Sequence, residues 1–264
     1  MSFFQLSPLI GAIIFCLGAI ISALVVYFIL RRLLVPYLSD DTQTLSSSIL
    51  VRMGTLYALI LALVFAQEFA DYIEVKDTIN NEAAAISTVY HGLEKFNSQT
   101  TEEIRRTVAK YVQTVIREEW VMLSQKKLSD NAWEHYRNVK VGLLHLDPKD
   151  LFQKDLRSQM IRDCNIIAKS RIARLAAATH ELPTFFIVIC IVGFFFVMVP
   201  YFAFSPKFAN IFLLVVHAAF NGLIIYFVLI IANPFSLSVS IEPNALETFM
   251  NKYIANVLTG LKGS

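Results

Sequence analysis

Apolar residues in this chain are gathered into four long runs instead of recurring at the spacing of a water-soluble core. The first, PLIGAIIFCLGAIISALVVYFIL, covers residues 8 to 30 and ends at Arg31 and Arg32, side chains long enough to reach a membrane surface. The second, LVRMGTLYALILALVFAQEFA, covers residues 50 to 70. The third and fourth, 183 to 204 and 208 to 232, are separated only by Ser205, Pro206 and Lys207. A helix needs about 20 apolar residues to cross ~30 Å of hydrocarbon, so each run predicts a span. Pro183 suits a first helical turn, Pro200 kinks or ends the third span, and Asn233-Pro234 stops the fourth.

Between the second and third runs the pattern changes to alternating apolar and polar positions with few turn residues, which predicts a helical bundle over 75 to 182. Thr100 with Glu103 reads as a capping box opening a helix of about 101 to 125, with Val108, Val112, Val115 and Met122 on one side. Ser129-Asp130 opens the next, aligning Trp133, Tyr136, Val139 and Leu143. Asp147-Pro148 opens a third that meets no breaker before Pro183. After Pro243, residues 244 to 260 align Leu246, Phe249, Tyr253 and Val257 in a short amphipathic tail, suited either to dock on the bundle or to lie on the membrane. The expected fold is an all-α membrane protein, with four transmembrane helices in two hairpins and a central helical bundle continuous with spans two and three. Its expected divisions are 1-74, 75-182, 183-232 and 233-264.

Composition agrees with a membrane chain: of 264 residues, 56% are hydrophobic and 17% charged, with a mean hydropathy of +0.55. The lipid bilayer is therefore the first expected partner. A net charge of +2 and the absence of a basic cluster interleaved with aromatics exclude nucleic acid. Three cysteines, Cys16, Cys164 and Cys190, imply no disulfide framework. The first apolar run lacks a basic start and exceeds a signal-peptide core of ~7 to 15 residues, so it reads as a permanent span. No phosphate-cradling glycine loop, HExxH, GxSxG or paired-cysteine spacing occurs, and His91, His135, His145 and His180 are scattered without metal-ligand spacing. No catalytic residue, metal or cofactor is expected, and the chain is not read as an enzyme.

The polar residues near the spans carry the functional question. In span two the uncharged run is Met53 to Ala66, 14 residues, which covers only ~21 Å. Gln67 and Glu68 therefore lie at an interface or face protein or water, because a lipid-facing carboxylate at depth costs about 2.5 kcal/mol or more. Positions 67, 71, 74, 78 and 81 share one helical face, carrying Gln67, Asp71, Glu74, Thr78 and Asn81. That stripe is either an acidic vestibule at the mouth of a conduit or the solvated side of a helix leaving the membrane. In span four, His217 and Asn221 lie four apart on one face, as a pair that titrates near neutral pH or as interhelical hydrogen-bonding glue. Lys169, Arg171 and Arg174 precede span three. They are placed to pair with Glu82 or Glu74 across the bundle, or to anchor on lipid phosphates.

Taken in order, these segments resemble the bestrophin-like family of bacterial membrane proteins. The stretch GTLYALILALVFAQEFADYIEVKDTINNEAAAISTVYHGL, residues 54 to 93, is similar to that family's second span and following helix, with Glu82 at a recurrent acidic position. YVQTVIREEW, 111 to 120, resembles its next helix, RIARLAAATHELP, 171 to 183, its approach to span three, and Asn233-Pro234-Phe235 with the strand-like LSVSIEP its closing signature. The chain departs in having Phe where a Trp often follows the Pro183 position, and no Gly after Pro234-Phe235. The resemblance implies an oligomeric ion channel, the pore lined by span two around a central axis. On that plan Leu61 and Phe65 form an apolar constriction and Gln67, Asp71 and Glu74 the vestibule; an acidic mouth suits cations better than anions. The partners are then further copies of the chain and a permeant ion. The competing reading is a membrane-anchored scaffold or sensor whose bundle binds a partner protein through Trp120 and Trp133.

Alternating spans put the termini and the bundle on one side of the cell membrane, an inner membrane in a Gram-negative cell. Basic residues near the spans tie between the sides. The resemblance and the unpaired cysteines place the bundle in the cytosol.

Overall fold

The first helix, α1, runs over Pro8–Leu34 and the second, α2, over Asp40–Phe96 without interruption. The computed structural model describes residues 8–96, 98–180, 182–235 and 240–254. After α2 come α3 (Gln99–Thr114), a π turn (Val115–Glu119) and α4 (Trp120–Leu123), then α5 (Asp130–Leu144) and α6 (Leu151–Thr179). Next are α7 (Thr184–Met198), continued by a 3-10 turn (Val199–Ala203), α8 (Phe208–Ile231), and α9 (Asn244–Phe249), continued by a π turn (Met250–Ile254). No strand occurs among the described residues; of LSVSIEP, residues 237 to 239 lie outside them. The chain divides into two compact units, the first of Met1–Tyr72 with Glu181–Val239 and the second of Ile73–His180 with Ser240–Ser264.

The first unit holds the apolar helices. Leu17, Leu63, Phe196 and Phe220 each expose more than half of their surface, an arrangement suited to hydrocarbon and not to water. In lipid such side chains gain nothing from leaving the solvent, so the helices are held by close packing and hydrogen bonds. Gly222 provides a close approach of one helix to the backbone of another. A Cβ there would lie 2.7 Å from the Phe15 carbonyl oxygen and 2.8 Å from the Ala19 methyl, so α8 meets the α1 backbone directly. Nearby, the Cys16 thiol reaches the Ala219 carbonyl at 3.4 Å and the Tyr226 hydroxyl donates to the Pro8 carbonyl at 2.9 Å. On α2, Tyr57 lays its ring over Gly193 of α7 and donates its hydroxyl to the Cys190 carbonyl at 2.7 Å. At the other end of α1, Tyr27 and Arg31 donate to carbonyls of residues 202 and 204, which the end of the 3-10 turn leaves without helical partners.

The second unit is a bundle with a continuous apolar core. Ile86, Val89 and Leu93 of α2 meet Val108, Val112 and Val115 of the α3 region, Val139 and Leu143 of α5, and Met160, Cys164 and Ile167 of α6. Leu246, Phe249 and Ile254 are buried in the same cluster. Of the two placements open to the amphipathic tail, its described residues take the bundle; Val257 lies outside them.

Helix starts differ from the expected ones where side chains compete for the cap. The α3 cap is Ser98, in a reciprocal box with Thr101, so Thr100 and Glu103 fall inside the helix. The α6 cap is Asp150, whose carboxylate accepts from the Gln153 N–H at 2.7 Å, three residues past Asp147-Pro148. Ser129 caps α5 as its sequence predicts, accepting from the Ala132 N–H. Span two is continuous with its bundle helix, whereas α6 ends at Thr179 and α7 starts behind Pro183, which has no N–H to carry a helix through.

Candidate functional site

In its membrane half, α2 buries Tyr57, Leu61, Val64 and Glu68, a row spaced three or four apart. Leu61 is 4% exposed and packs with Tyr57, Cys190 and Phe194, so it belongs to the core of its own chain and is not available to an axis shared between copies. Phe65 is exposed, stacked in line with Phe69 at 6.0 Å. Gln67 and Glu74 are exposed and Asp71 is half-buried. Gln67 Nε2 donates to Asp71 Oδ1 at 2.8 Å, as residues four apart on one face can.

In α8, His217 and Asn221 do not bond side chain to side chain. His217 Nδ1 meets the Tyr201 hydroxyl at 2.7 Å, and Asn221 Nδ2 donates to the His217 carbonyl at 2.9 Å.

The most connected polar cluster is in the bundle. Arg174 of α6 donates through Nη1 to Glu82 of α2 and through Nη2 to Glu119 Oε1 at 2.7 Å. Arg171, one turn earlier, forks onto Glu119 with Nε at 2.8 Å from Oε2, and its Nη2 also reaches the Ser129 carbonyl. Tyr111 donates to Glu82 Oε1 at 2.8 Å. Glu82, Glu119 and Arg174 have no exposed surface and Arg171 only 3%. The faces of Trp120 and Trp133 lie 5.2 Å from the Arg174 and Arg171 guanidinium carbons. Two carboxylates and two guanidiniums thus balance in a place that water does not reach. Burial pushes the Glu82 carboxyl up, opposed by Arg174 and by the Tyr111 hydroxyl. Burial alone would lower Arg174, but Glu82, Tyr111 and Glu119 outweigh it and hold its guanidinium above the ordinary value.

Glu118, the neighbour of Glu119, faces the rim of the same cluster. It accepts from Ser129 Oγ at 2.6 Å and from Asn131 Nδ2 at 3.2 Å, and these bonds hold its carboxyl below the usual glutamate range. A group whose folded pKa is depressed contributes stability above the unfolded value of ~4.3 and loses it as pH falls through the folded value. Glu118→Gln is therefore expected to destabilise the bundle at pH 7, with the gap to the unmodified protein closing below about pH 4. Urea unfolding followed by tryptophan fluorescence at both pH values checks this.

Against known protein families, residues 17–246 match the model of the bestrophin-like domain. The chain belongs to the bestrophin-like family. No curated protein matches this bestrophin-like chain in sequence. Among solved structures it is similar to a bacterial bestrophin homologue from Klebsiella pneumoniae carrying one substitution, with a TM-score of 0.67 and 13% identity, over 91% of this chain and 98% of that one. At that identity the likeness is one of fold.

Within the bestrophin-like chain, the cluster gathers three segments of the sequence: 54 to 93 supplies Glu82, 111 to 120 supplies Tyr111 and Glu119, and 171 to 183 supplies both arginines. The structure brings Glu82 and Arg174 together and gives Arg171 a different partner, Glu119, which sequence reasoning did not single out. Glu74 joins none of these bonds and is exposed. Arg171 and Arg174 are buried, which leaves Lys169, exposed on the outer face of α6, to meet phosphates. Trp120 is engaged within the bundle, its indole N–H donating to the Ile241 carbonyl at 2.8 Å, so a partner surface built on Trp120 and Trp133 keeps only Trp133 at its rim.

Proposed function

We propose that this bestrophin-like chain is a subunit of an oligomeric ion channel of the cell membrane. Its conduit is lined by the α2 flank that carries Gln67, Asp71 and Glu74, and its bundle lies in the cytosol, where a free Cys164 stays reduced. The observation that carries this reading is the exposure of Gln67 and Glu74 beside a row of α2, Tyr57, Leu61, Val64 and Glu68, that is already buried within the chain. Lipid does not accept such exposed polar side chains at low cost; a water-filled axis between copies does. Family membership and the fold shared with a bacterial bestrophin homologue support it. Acidic side chains at the mouth favour cations.

Native mass spectrometry of protein released from gentle detergent tests the assembly, and planar-bilayer recordings of the same sample test conduction. The expected result is a closed ring of copies whose cation-to-anion permeability ratio falls several-fold in the double variant Asp71→Asn with Glu74→Gln. A monomer, or a pure oligomer that passes no current, overturns the reading; an unchanged ratio removes the acidic row from the conduit.

A further inference from the structure

Between α2 and α8 the first unit leaves a cavity of about 580 Å³, within the ~300–1,000 Å³ of small-molecule sites. One wall is Gly54, Ala58 and Ala62, four residues apart on α2, and the other includes His217, Asn221 and Phe227 of α8. Tyr57, which with Leu61 and Phe65 is one of the large side chains on this side of α2, leans towards α7 to cover Gly193. A second cavity of about 480 Å³ shares His217 with the first and continues along α8 to Asn210. From His217 to Ile231 the groove follows 14 residues of α8, about 21 Å at 1.5 Å per residue.

In the first cavity the Tyr57 hydroxyl is spent on the Cys190 carbonyl, and the other two polar groups, His217 and Asn221, have half of their hydrogen-bonding capacity unused. A backbone carbonyl only accepts, so the Asn221 amide nitrogen must face the His217 carbonyl, and Oδ1 is left as an acceptor. Asn221 is 5% exposed, lines the cavity, and no donor to Oδ1 occurs among the described residues. His217 Nδ1 shares one hydrogen bond with the Tyr201 hydroxyl at 2.7 Å, so Nε2 is the ring nitrogen left over, a donor in the tautomer in which the phenol donates. Groove and polar pair therefore ask for a ligand that accepts one hydrogen bond and donates another at the depth of residues 217 to 221. A hydroxyl does both. No charged side chain lines either cavity, so a carboxylate or phosphate would be buried without a counter-ion.

We propose that the α2–α8 groove binds an uncharged long-chain alcohol drawn from the membrane, its hydroxyl between His217 and Asn221 and its hydrocarbon chain against Gly54, Ala58 and Ala62. The site is separate from the conduit and does not depend on conduction.

The test uses the full chain in nanodiscs with a hexadecanol probe carrying a photoreactive diazirine on its chain, and adducts mapped by mass spectrometry. Adducts are expected within 54–65 and 217–231, removed by excess hexadecanol but not by hexadecane or palmitate. Asn221→Leu is expected to cut labelling about tenfold, and Ala58→Phe, which fills the groove from an exposed helical position, to abolish it. Equal competition by hexadecane or palmitate would assign the groove to ordinary lipid chains and overturn the proposal, as would labelling that survives Ala58→Phe. Labelling confined to single chains and lost in the assembled oligomer would give the groove to a neighbouring copy, again overturning it. Competition on the unmodified protein decides the matter even if a variant does not fold.

Discussion

Replacing Arg174 by methionine should cost the bundle about 3–5 kcal/mol, the usual penalty for removing one partner from a buried ionic cluster. Arg174 is bonded to Glu82 and to Glu119, and neither carboxylate has exposed surface. Its loss leaves Glu82 with only the Tyr111 hydroxyl and Glu119 with only Arg171 and the Ser129 N–H. Two charges then face one, where before they balanced. Burial already pushes the Glu82 carboxyl up, and without the guanidinium it rises further. A buried acid with a raised folded pKa favours folding when protonated, and that advantage is lost as pH rises through the folded value. The Arg174→Met defect should therefore be largest at pH 7 to 8 and shrink towards pH 5. Adding Glu82→Gln should recover part of the loss, since it removes the charge left behind. Pulse proteolysis across a urea series gives both numbers. If Arg174→Met costs under 1 kcal/mol at pH 7, the cluster does not hold the bundle together.

The second large effect is expected in the membrane unit. Gly222→Ala puts a methyl group 2.7 Å from the Phe15 carbonyl oxygen, and a backbone atom in a neighbouring helix cannot turn aside as a flexible side chain can. By helix propensity alone the change would gain about 1 kcal/mol. Overpacking costs about 1–3 kcal/mol and in lipid there is no compensating gain from leaving water, so the balance is a loss. Gly18 lies on α1 with nothing near its added Cβ, and Gly18→Ala should be neutral or stabilising. Thermal unfolding of the two variants in one detergent is the measurement: Gly222→Ala melting below the unmodified chain and Gly18→Ala at or above it. The reverse order would mean that α1 and α8 do not meet at Gly222.

Much of the architecture was legible because lipid and water impose different periodicities. An almost unbroken apolar run marks a span whatever it packs against, so the four spans and the bundle between them could be drawn from composition alone. What the runs do not encode is which helix lies against which. Gly222 and Gly193 look alike in sequence, yet one meets the α1 backbone and the other a tyrosine ring from α2. Caps were misplaced by two or three residues, Thr100 for Ser98 and Asp147 for Asp150, because Ser, Thr and Asp side chains are all able to accept from a first-turn N–H. In the bundle cluster, Arg174 and Glu82 stood out by position, but Glu119 did not. Glu118 and Glu119 are adjacent acids, and at about 100° per residue only one can turn inward; no local pattern says which. The bestrophin plan puts Leu61 and Phe65 together at a constriction, but residues four apart on one flank of a helix differ here in burial, Leu61 being buried and Phe65 exposed.

The π turn at Val115–Glu119 settles that choice of acid. Val115, Glu119 and Leu123 are all buried, a spacing of four and then four, which a regular helix of 3.6 residues per turn does not keep in line. The wide turn absorbs the excess, as a single inserted residue does in such bulges. The segment therefore behaves as a stored insertion. Deleting one residue from 116 to 118 is expected to remove the bulge and restore an ordinary helix, with Glu119 and Leu123 keeping their inward facing.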